Sequence, residues 1–125
     1  MILDTCALLW LVEGKGKLSR DALLQIEEAP LVYISTISAF EISLKYNKGK
    51  LDLPLEPKDW FKIALINHNI LLIPLDIDIC IKSTNLPDHH KDPCDRFIIA
   101  TAQIYNFPVV TTDKVFKDYC IEVIN

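Results

Sequence analysis

Residues 90–102 of the chain read HKDPCDRFIIATA, and this stretch predicts a helix that begins at a charged site. Asp92 is a favourable N-cap residue, and Pro93 suits the first position of a helix. The apolar residues that follow recur at helical spacing and are Phe97, Ile98, Ile99, Ala100 and Ala102. Asp95 lies three and four residues before Ile98 and Ile99, so it shares their face of the helix. A carboxylate on a buried face needs a cation or hydrogen-bond donors, because burying it alone is costly.

The start of this helix has two interpretations. In the first, Asp92 caps the helix and Asp95 interacts favourably with the positive end of the helix dipole. In the second, Asp95 belongs to a functional site. We keep Asp92 as an N-cap. For Asp95 the second interpretation gains weight from three other acids at similar junctions, namely Asp4, Glu41 and Asp113.

Composition limits the class of protein. The chain has 125 residues, of which 50% are hydrophobic, so we expect one domain over residues 1–125 with a sizeable core. No apolar run reaches the roughly 18 residues of a membrane span, and no basic segment precedes an apolar stretch at the N-terminus. We therefore expect a cytoplasmic protein. A net charge of −4 argues against binding nucleic acid by overall electrostatics alone.

The four cysteines favour free thiols over a zinc site, and also over the two disulfides that their number would permit. Their positions are widely spaced, with no C-x-x-C pair, and are Cys6, Cys80, Cys94 and Cys120. Since they lie within apolar segments, we expect buried, reduced thiols.

Short apolar runs alternate with stretches of helical periodicity. Strands are predicted near residues 1–5, 31–35, 70–74, 107–113 and 120–124. Helices are predicted near 7–12, 19–28, 36–46, 58–68, 76–85 and 93–105, with a single turn at 114–118. The strands are apolar throughout, which is typical of strands buried on both faces. The pattern predicts an α/β fold with a mainly parallel central sheet of four to five strands, covered by helices on both faces.

The four acids can meet at one edge of such a sheet. Asp4 and Asp113 end predicted strands, Glu41 follows the second strand, and Asp95 opens a helix. Ligands of parallel α/β sheets bind beyond the carboxyl ends of the strands. A structural alternative exists for Glu41, because Ser38 and Glu41 have the spacing of a helix capping box.

Clustered carboxylates raise each other's pKa unless a cation compensates them, and the sequence shows no cation that would pair with all of them. Oxygen ligands without histidine or cysteine at ligand spacing suit Mg²⁺ or Mn²⁺. His89 and His90 could bind a metal, but side chains at adjacent positions rarely converge on one ion. We therefore assign both histidines to a solvated loop. The chemistry expected of such a site is metal-assisted phosphodiester hydrolysis. Walker, G-x-S-x-G and G-x-G-x-x-G motifs are absent, which disfavours nucleotide kinases, serine hydrolases and Rossmann enzymes.

Four segments in this order resemble the PIN domain, and more narrowly the VapC-type toxins of bacterial toxin–antitoxin pairs. They are ILDT at residues 2–5, SAFEI at 38–42, DPCDRFIIATA at 92–102 and VTTD at 110–113. The resemblance covers essentially the whole chain. Two positions depart from the family pattern: Cys6 stands where close relatives often have histidine, and Cys94 where a large apolar residue is usual. Neither change removes a metal ligand.

The resemblance implies a metal-dependent endoribonuclease that uses Mg²⁺ or Mn²⁺ and is neutralised by a VapB-type antitoxin. It implies a catalytic, metal-binding quartet of Asp4, Glu41, Asp95 and Asp113. Supporting roles fall to Thr5, Thr112 and Asp92. It also implies a homodimer with no membrane association. An antitoxin tail would lie in an apolar groove, for which Trp10 and Phe40 are candidate contacts.

Two alternative functions make different demands on the sequence. A phosphatase of the haloacid dehalogenase kind needs D-x-D after the first strand, but position 6 is Cys6. A non-catalytic PIN-like module that binds RNA or protein remains the alternative. The intact acidic quartet argues against it.

Overall fold

The computed structural model describes residues 1–125 and contains one parallel sheet of five strands. The strands are β1 (Ile2–Leu3), β2 (Val32–Ser35), β3 (Ile70–Ile73), β4 (Val109–Val110) and β5 (Val123–Ile124). Their order across the sheet is β3-β2-β1-β4-β5, and every neighbouring pair is parallel. The predicted α/β fold is therefore confirmed. The strand order reverses direction at β1, which places Asp4 at the centre of the carboxyl edge.

Six α-helices and one 3₁₀ helix connect the strands. They are α1 (Thr5–Glu13), α2 (Arg20–Glu28), α3 (Thr36–Asn47), α4 (Pro57–Asn67), α5 (Ile77–Asn85), α6 (Pro93–Tyr105) and the 3₁₀ helix Lys114–Tyr119. Helix α6 begins and ends where the sequence predicted, because Asp92 caps its start and Asn106, at φ 54°, ends it in the left-handed region.

The two faces of the sheet bury separate apolar clusters. Side chains alternate along a strand, so Ile2 packs in one cluster and Leu3 in the other. The cluster around Leu3 includes Trp60 of α4, whereas the cluster around Ile2 includes Ile79 of α5 and Ile98 of α6. Helices thus cover both faces, as predicted, and the carboxyl edge of the sheet stays open between them.

Strand β4 is shorter than predicted. Residues 107–113 were expected to be extended to Asp113, but the ladder with β1 pairs only Ile2 with Val109 and Leu3 with Val110. The reason lies in β1, which ends after Leu3 because Asp4 already caps α1. Asp113 therefore lies beyond the strand and caps the 3₁₀ helix.

The alternative role of Glu41 in a helix capping box does not hold. The N-cap of α3 is Ser35, whose Oγ accepts a hydrogen bond from the amide of Ile37 at 3.1 Å. Ser38 lies inside the helix and is fully buried. Glu41 therefore lies past the first turn of α3 and is free for a role other than capping.

The expected burial of the cysteines is also wrong. Cys6, Cys80 and Cys120 are exposed, and Cys94 is partly buried, although all four are free thiols. No helix has the length and apolarity that crossing a membrane requires.

Candidate functional site

A cavity of about 200 Å³ opens at the carboxyl edge of the sheet, between α1, α3 and α6. All seven residues proposed from sequence line it, and they are Asp4, Thr5, Glu41, Asp92, Asp95, Thr112 and Asp113. Cys6 and Lys45 complete the lining. The cavity thus brings five carboxylates together in a small volume, as the parallel topology predicts.

Three of these acids are helix caps as well. One oxygen of each accepts a backbone hydrogen bond: Asp4 Oδ1 from Ala7 at 2.7 Å, Asp92 Oδ1 from Cys94 at 2.9 Å, and Asp113 Oδ1 from Val115 at 3.0 Å. The capping role assigned to Asp92 is confirmed. Asp4 and Asp113 have the same role, which the sequence analysis did not anticipate. Capping fixes one oxygen of each carboxylate and orients the second.

Asp95 and Glu41 do not cap helices. Asp95 lies in the first turn of α6, where burial, followed by the charge of Asp92, raises its pKa to about 7, although nearby His90 acts in the opposite direction. Glu41 Oε2 lies 3.3 Å from Lys45 Nζ. Glu41 Oε1 is the one buried side-chain polar atom without a hydrogen-bond partner. The negative charges of Asp95 and Glu41 are therefore only partly balanced by neighbouring cations and hydrogen-bond donors.

Asp4 is the most buried acid of the site, with 6% of its surface exposed. Burial raises its pKa, and the charges of Glu41 and Asp113 raise it further, whereas hydrogen bonds from Thr111 and Ala7 lower it. A deeply placed carboxylate with a raised pKa among other acids is typical of a site that binds a cation.

The hydroxyl groups support the site differently from the prediction. Thr5 Oγ1 lies 3.0 Å from Ser38 Oγ and so links α1 to α3. Thr112 lines the cavity but makes no side-chain hydrogen bond. The buried Thr111 stabilises Asp4, and its Oγ1 accepts a hydrogen bond from the Asp113 amide at 3.0 Å. Thr111 lies two residues before Asp113, which is the spacing of a turn closed by a threonine hydroxyl. This spacing was the sequence signal that could have identified Thr111 as a site residue.

Two basic side chains lie at the site, and each contacts only some of the acids, as expected from the sequence. Lys45 is four residues after Glu41 on α3, a spacing that pairs opposite charges on a helix. Partial burial lowers the pKa of Lys45, but the charge and hydrogen bond of Glu41 outweigh it, and the pKa is raised overall.

The second basic side chain at the site is His90. Its assignment to a solvated loop is wrong. Its Nε2 lies 2.8 Å from Asp113 Oδ2 and 3.1 Å from Asp95 Oδ2, and its side chain is 13% exposed. His89, its neighbour, is exposed. No spacing in the sequence marks His90 as a site residue, because the loop 86–90 brings it to the site through long-range contacts.

Residues 1–122 match the family model of the PIN domain. The chain belongs to the PIN domain family. The match covers nearly the whole length of the chain, including every residue that lines the cavity. The resemblance noted from the sequence is therefore confirmed at the level of the family.

Named proteins similar to this PIN domain include a ribonuclease and a toxin–antitoxin complex. The chain is 25% identical to Ribonuclease VapC22 of Mycobacterium tuberculosis over 120 residues, which cover 95% of this chain and 91% of that protein. Its structure resembles a toxin–antitoxin complex from Klebsiella pneumoniae, with a TM-score of 0.67 and 20% identity over 99% of this chain and 95% of the other. It also resembles VapBC2 of Rickettsia felis bound to a promoter DNA fragment, with a TM-score of 0.71 and 16% identity over 99% and 96%. The structural likenesses establish the shared fold.

The donor set of this PIN domain fits a hard divalent cation. Carboxylate oxygens dominate the cavity, Glu41 Oε1 has no partner, and two acids have raised pKa values. One ligand atom from each of His90, Asp95 and Asp113 can be chosen so that the three lie within 4.8 Å of one another.

The two cysteines near the cavity are poor metal ligands, because a thiol binds metal as the thiolate. Burial and the charge of Glu41 raise the pKa of Cys94 to about 11. Burial and the charge of Asp4 also raise the pKa of Cys6. The residues that depart from the family pattern therefore leave the oxygen character of the site unchanged.

Proposed function

We propose that this PIN domain is a metal-dependent endoribonuclease and the toxin of a toxin–antitoxin pair. The observation that carries the proposal is the convergence of five carboxylates on one small cavity at the carboxyl edge of a PIN-domain sheet. The similarity to Ribonuclease VapC22 supports RNA as the substrate.

Asp4, Glu41, Asp95 and Asp113 are the proposed catalytic residues and the ligands of Mg²⁺ or Mn²⁺. When bound, the cation would supply positive charge that stabilises the charge developing during phosphodiester hydrolysis. The caps keep Asp4 and Asp113 oriented before any ligand arrives. Thr5, Thr112 and Asp92 are proposed to support these four acids.

Lys45 has a separate proposed task. Nearly half of its side chain is exposed, and its Nζ lies at the rim beside Glu41. An ammonium group there can bind a phosphate oxygen of an RNA strand, which offsets the repulsion between an acidic cavity and a polyanion. The acidic quartet is complete and converges, so the enzyme is favoured over a non-catalytic binding module.

The direct test is cleavage of RNA by the purified chain. Cleavage should require added Mg²⁺ or Mn²⁺ and should stop with EDTA. Lys45→Ala should retain metal binding while raising the KM for RNA. Cleavage that persists in EDTA, or tightly bound zinc in protein purified without added metal, would contradict the proposed chemistry.

The proposed partner is a VapB-type antitoxin, and the proposed contact is the exposed side of α3. Phe40 and Leu44 are 57% and 40% exposed on the helix that carries Glu41 and Lys45. An apolar segment of the antitoxin can pack there and extend a basic side chain to the acidic cavity.

Trp10 suits this role less well than Phe40. Its ring lies against the turn at Gly16, where an added Cβ would lie 2.3 Å from Trp10 Cδ1. Phe40→Ala should therefore weaken antitoxin binding with little change in melting temperature, whereas Trp10→Ala should lower the melting temperature more. An antitoxin encoded next to this gene would be the titrant, and unchanged affinity of Phe40→Ala would exclude this surface.

A homodimer is also proposed, through the edge of the sheet at β3. The exposed apolar residues of this surface are Leu71, Leu72, Ile77 and Ile81. They lie on the edge strand β3 and on the following helix α5, and none of them lines the cavity.

A further inference from the structure

We propose that His90 is a positioning residue that binds Asp113 by a hydrogen bond from Nε2 and keeps Asp95 beside it. The inference deepens the proposed function, since it rests on metal binding at the acidic cavity. His90 would not bind the metal itself. It would set the spacing and orientation of two carboxylates that come from different elements, α6 and the 3₁₀ helix.

The geometry of His90 places a single ring nitrogen between two acids. Its Nε2 is 2.8 Å from Asp113 Oδ2 and 3.1 Å from Asp95 Oδ2. The pair with Asp113 is a hydrogen bond, whereas Asp95 lies within polar contact distance of the same nitrogen. The two carboxylates repel each other, and the Nε2–H group beside both offsets part of that repulsion. The second oxygen of Asp113 accepts from Val115, so the Asp113 carboxylate is fixed at both ends.

The other ring nitrogen indicates which tautomer is present. The amide of Asp92 donates to His90 Nδ1 at 3.2 Å. A nitrogen that accepts carries no hydrogen, so the hydrogen of the neutral ring is on Nε2, where it faces the two acids. This assignment follows from the hydrogen-bond network. In this tautomer Nε2 has no free lone pair and cannot bind a metal.

The loop that carries His90 is fixed by Arg96. This side chain donates to four backbone carbonyls, those of Ser83, Leu86, Pro87 and His90, at 2.8–3.2 Å. Because Arg96 directly follows Asp95 on α6, the same turn of helix supplies an acid of the site and the anchor of the loop. An arginine with this many backbone partners restricts the loop strongly.

Tyr119 fixes the loop from the other side. Its hydroxyl accepts from the His90 amide at 2.6 Å and donates to the Pro87 carbonyl at 2.7 Å. Phe116 of the same 3₁₀ helix meets the His90 ring edge-on, with centroids 5.8 Å apart. The imidazole is therefore held by its backbone, by its ring face and by Nδ1, which leaves Nε2 as the group that acts on the acids. Such support is typical of a residue that orients ligands.

The competing role for His90 is a metal ligand together with Asp95 and Asp113, since one ligand atom of each lies within reach of a common ion. That role requires the hydrogen to move from Nε2 to Nδ1, which would break the bond from the Asp92 amide. The two roles therefore predict opposite tautomers when metal is bound.

The first experiment is ¹⁵N NMR of the histidine rings, with and without the diamagnetic ion Mg²⁺. We expect His90 to be the neutral Nε2–H tautomer in the metal-free protein and to remain so after Mg²⁺ is added. His90→Gln assigns the signal. A change to Nδ1–H on adding Mg²⁺, or Nδ1–H in the metal-free protein, would overturn the proposal.

The second experiment is calorimetric titration of the full chain with Mn²⁺. His90→Ala should weaken Mn²⁺ binding by roughly 10- to 100-fold, the usual effect of removing a partner of a metal ligand. His90→Gln should restore most of the affinity, because its amide N–H can donate to the same acids, although a glutamine is a poor metal ligand. His89→Ala is the matched control, since this neighbouring imidazole is exposed and its only ring contact is edge-on with Tyr119.

Three outcomes would overturn the proposal: equal affinity in His90→Ala, tighter binding in His90→Ala, or failure of His90→Gln to restore binding while its melting temperature matches wild type. None of these measurements uses RNA. If the wild-type chain binds Mn²⁺ as described but cleaves no RNA, the proposed function fails and the role of His90 stands.

Discussion

At the scale of single residues, Asp4 both caps α1 and supplies a negative charge to the cavity, and the substitution of one side-chain oxygen by an amide nitrogen separates the two roles. Asn in place of Asp4 keeps the oxygen that accepts from the Ala7 amide and removes the negative charge. Since Asp4 is 6% exposed and surrounded by acids, losing the charge also relieves an electrostatic cost. We expect Asp4→Asn to lower RNA cleavage by at least about 100-fold, the upper end for a group that only supports a ligand. Its melting temperature should equal or exceed that of wild type. Wild-type activity would remove Asp4 from the site.

Asp95 gives the metal-free protein a specific pH dependence. Its pKa is about 7 in the folded protein, against 3.8 without these neighbours. Between these two values the folded chain retains a proton that the unfolded chain has released, so stability falls as the pH rises. The stability contributed by the proton on Asp95 is fully present below pH 3.8 and is lost once the pH has passed about 7.

Thermal melting in EDTA from about pH 4 to about pH 8 tests this linkage. Wild type should lose more stability than Asp95→Asn, by at most about 1.4 kcal/mol per pH unit. Groups remote from the cavity contribute equally to both proteins, so the difference between the two curves reports Asp95 together with the charged neighbours that interact with it. Parallel curves would show that Asp95 is ionised throughout this range. Asp95→Asn should also abolish cleavage.

Asp92 is an N-cap that supports the site and is not one of the four proposed metal ligands. Asn caps helices about as well as Asp, so Asp92→Asn should change the free energy of unfolding only slightly and preserve most of the cleavage rate. Both are measured beside Asp95→Asn, which lies one helical turn away. A loss of cleavage as deep as that of Asp95→Asn would identify Asp92 as a metal ligand.

At the scale of elements, the start of α3 determines where Glu41 lies. Ser35 is fully buried, and its hydroxyl satisfies the amide of Ile37. Ser35→Ala should cost about 1–2 kcal/mol in the free energy of unfolding, measured by urea denaturation. Ser43→Ala, on the same helix but without a side-chain hydrogen bond, is the control. Equal effects of the two changes would show that the cap does not stabilise α3.

At the scale of the whole molecule, the proposed dimer surface can be tested without affecting the site. Leu72 and Ile77 are 48% and 76% exposed near the edge strand β3. Leu72→Lys or Ile77→Lys should convert a dimer to a monomer in sedimentation velocity, because a buried lysine would lose its hydration. Leu24→Lys, at 50% exposure on α2, is the matched control. A wild-type monomer, or a dimer that survives both changes, would exclude this surface.

The fold was predictable from the sequence because local signals agreed with the final packing. Ser19 marks the start of α2, and Pro93 and Asn106 bracket α6. The four acids could be placed at one edge because parallel strands all end on the same side. The length of β4 was not predictable, since it depends on how early its neighbour β1 ends.

The parts of the site that the sequence missed depend on tertiary contacts. His90 comes to Asp113 across 23 residues of chain, and the carbonyls that position its loop are satisfied by Arg96. Nothing in the local pattern distinguishes His90 from the exposed His89. Lys45 differs, because its spacing from Glu41 was visible in the sequence.

The double use of Asp4 and Asp113 bears on how such a chain can lose its activity through mutation. A change at these caps that also removes the capping oxygen damages folding, and the product is open to proteolysis. Changes at Glu41 or Asp95, which cap nothing, can remove activity and leave the fold standing. If the chain is toxic when expressed alone, survivors that still accumulate full-length folded protein should carry their substitutions mainly at Glu41 and Asp95. Survivors altered at Asp4 or Asp113 should carry asparagine there, or contain little protein. The distribution of escape mutations would thus show which acids are needed only for cleavage and which are also needed for folding.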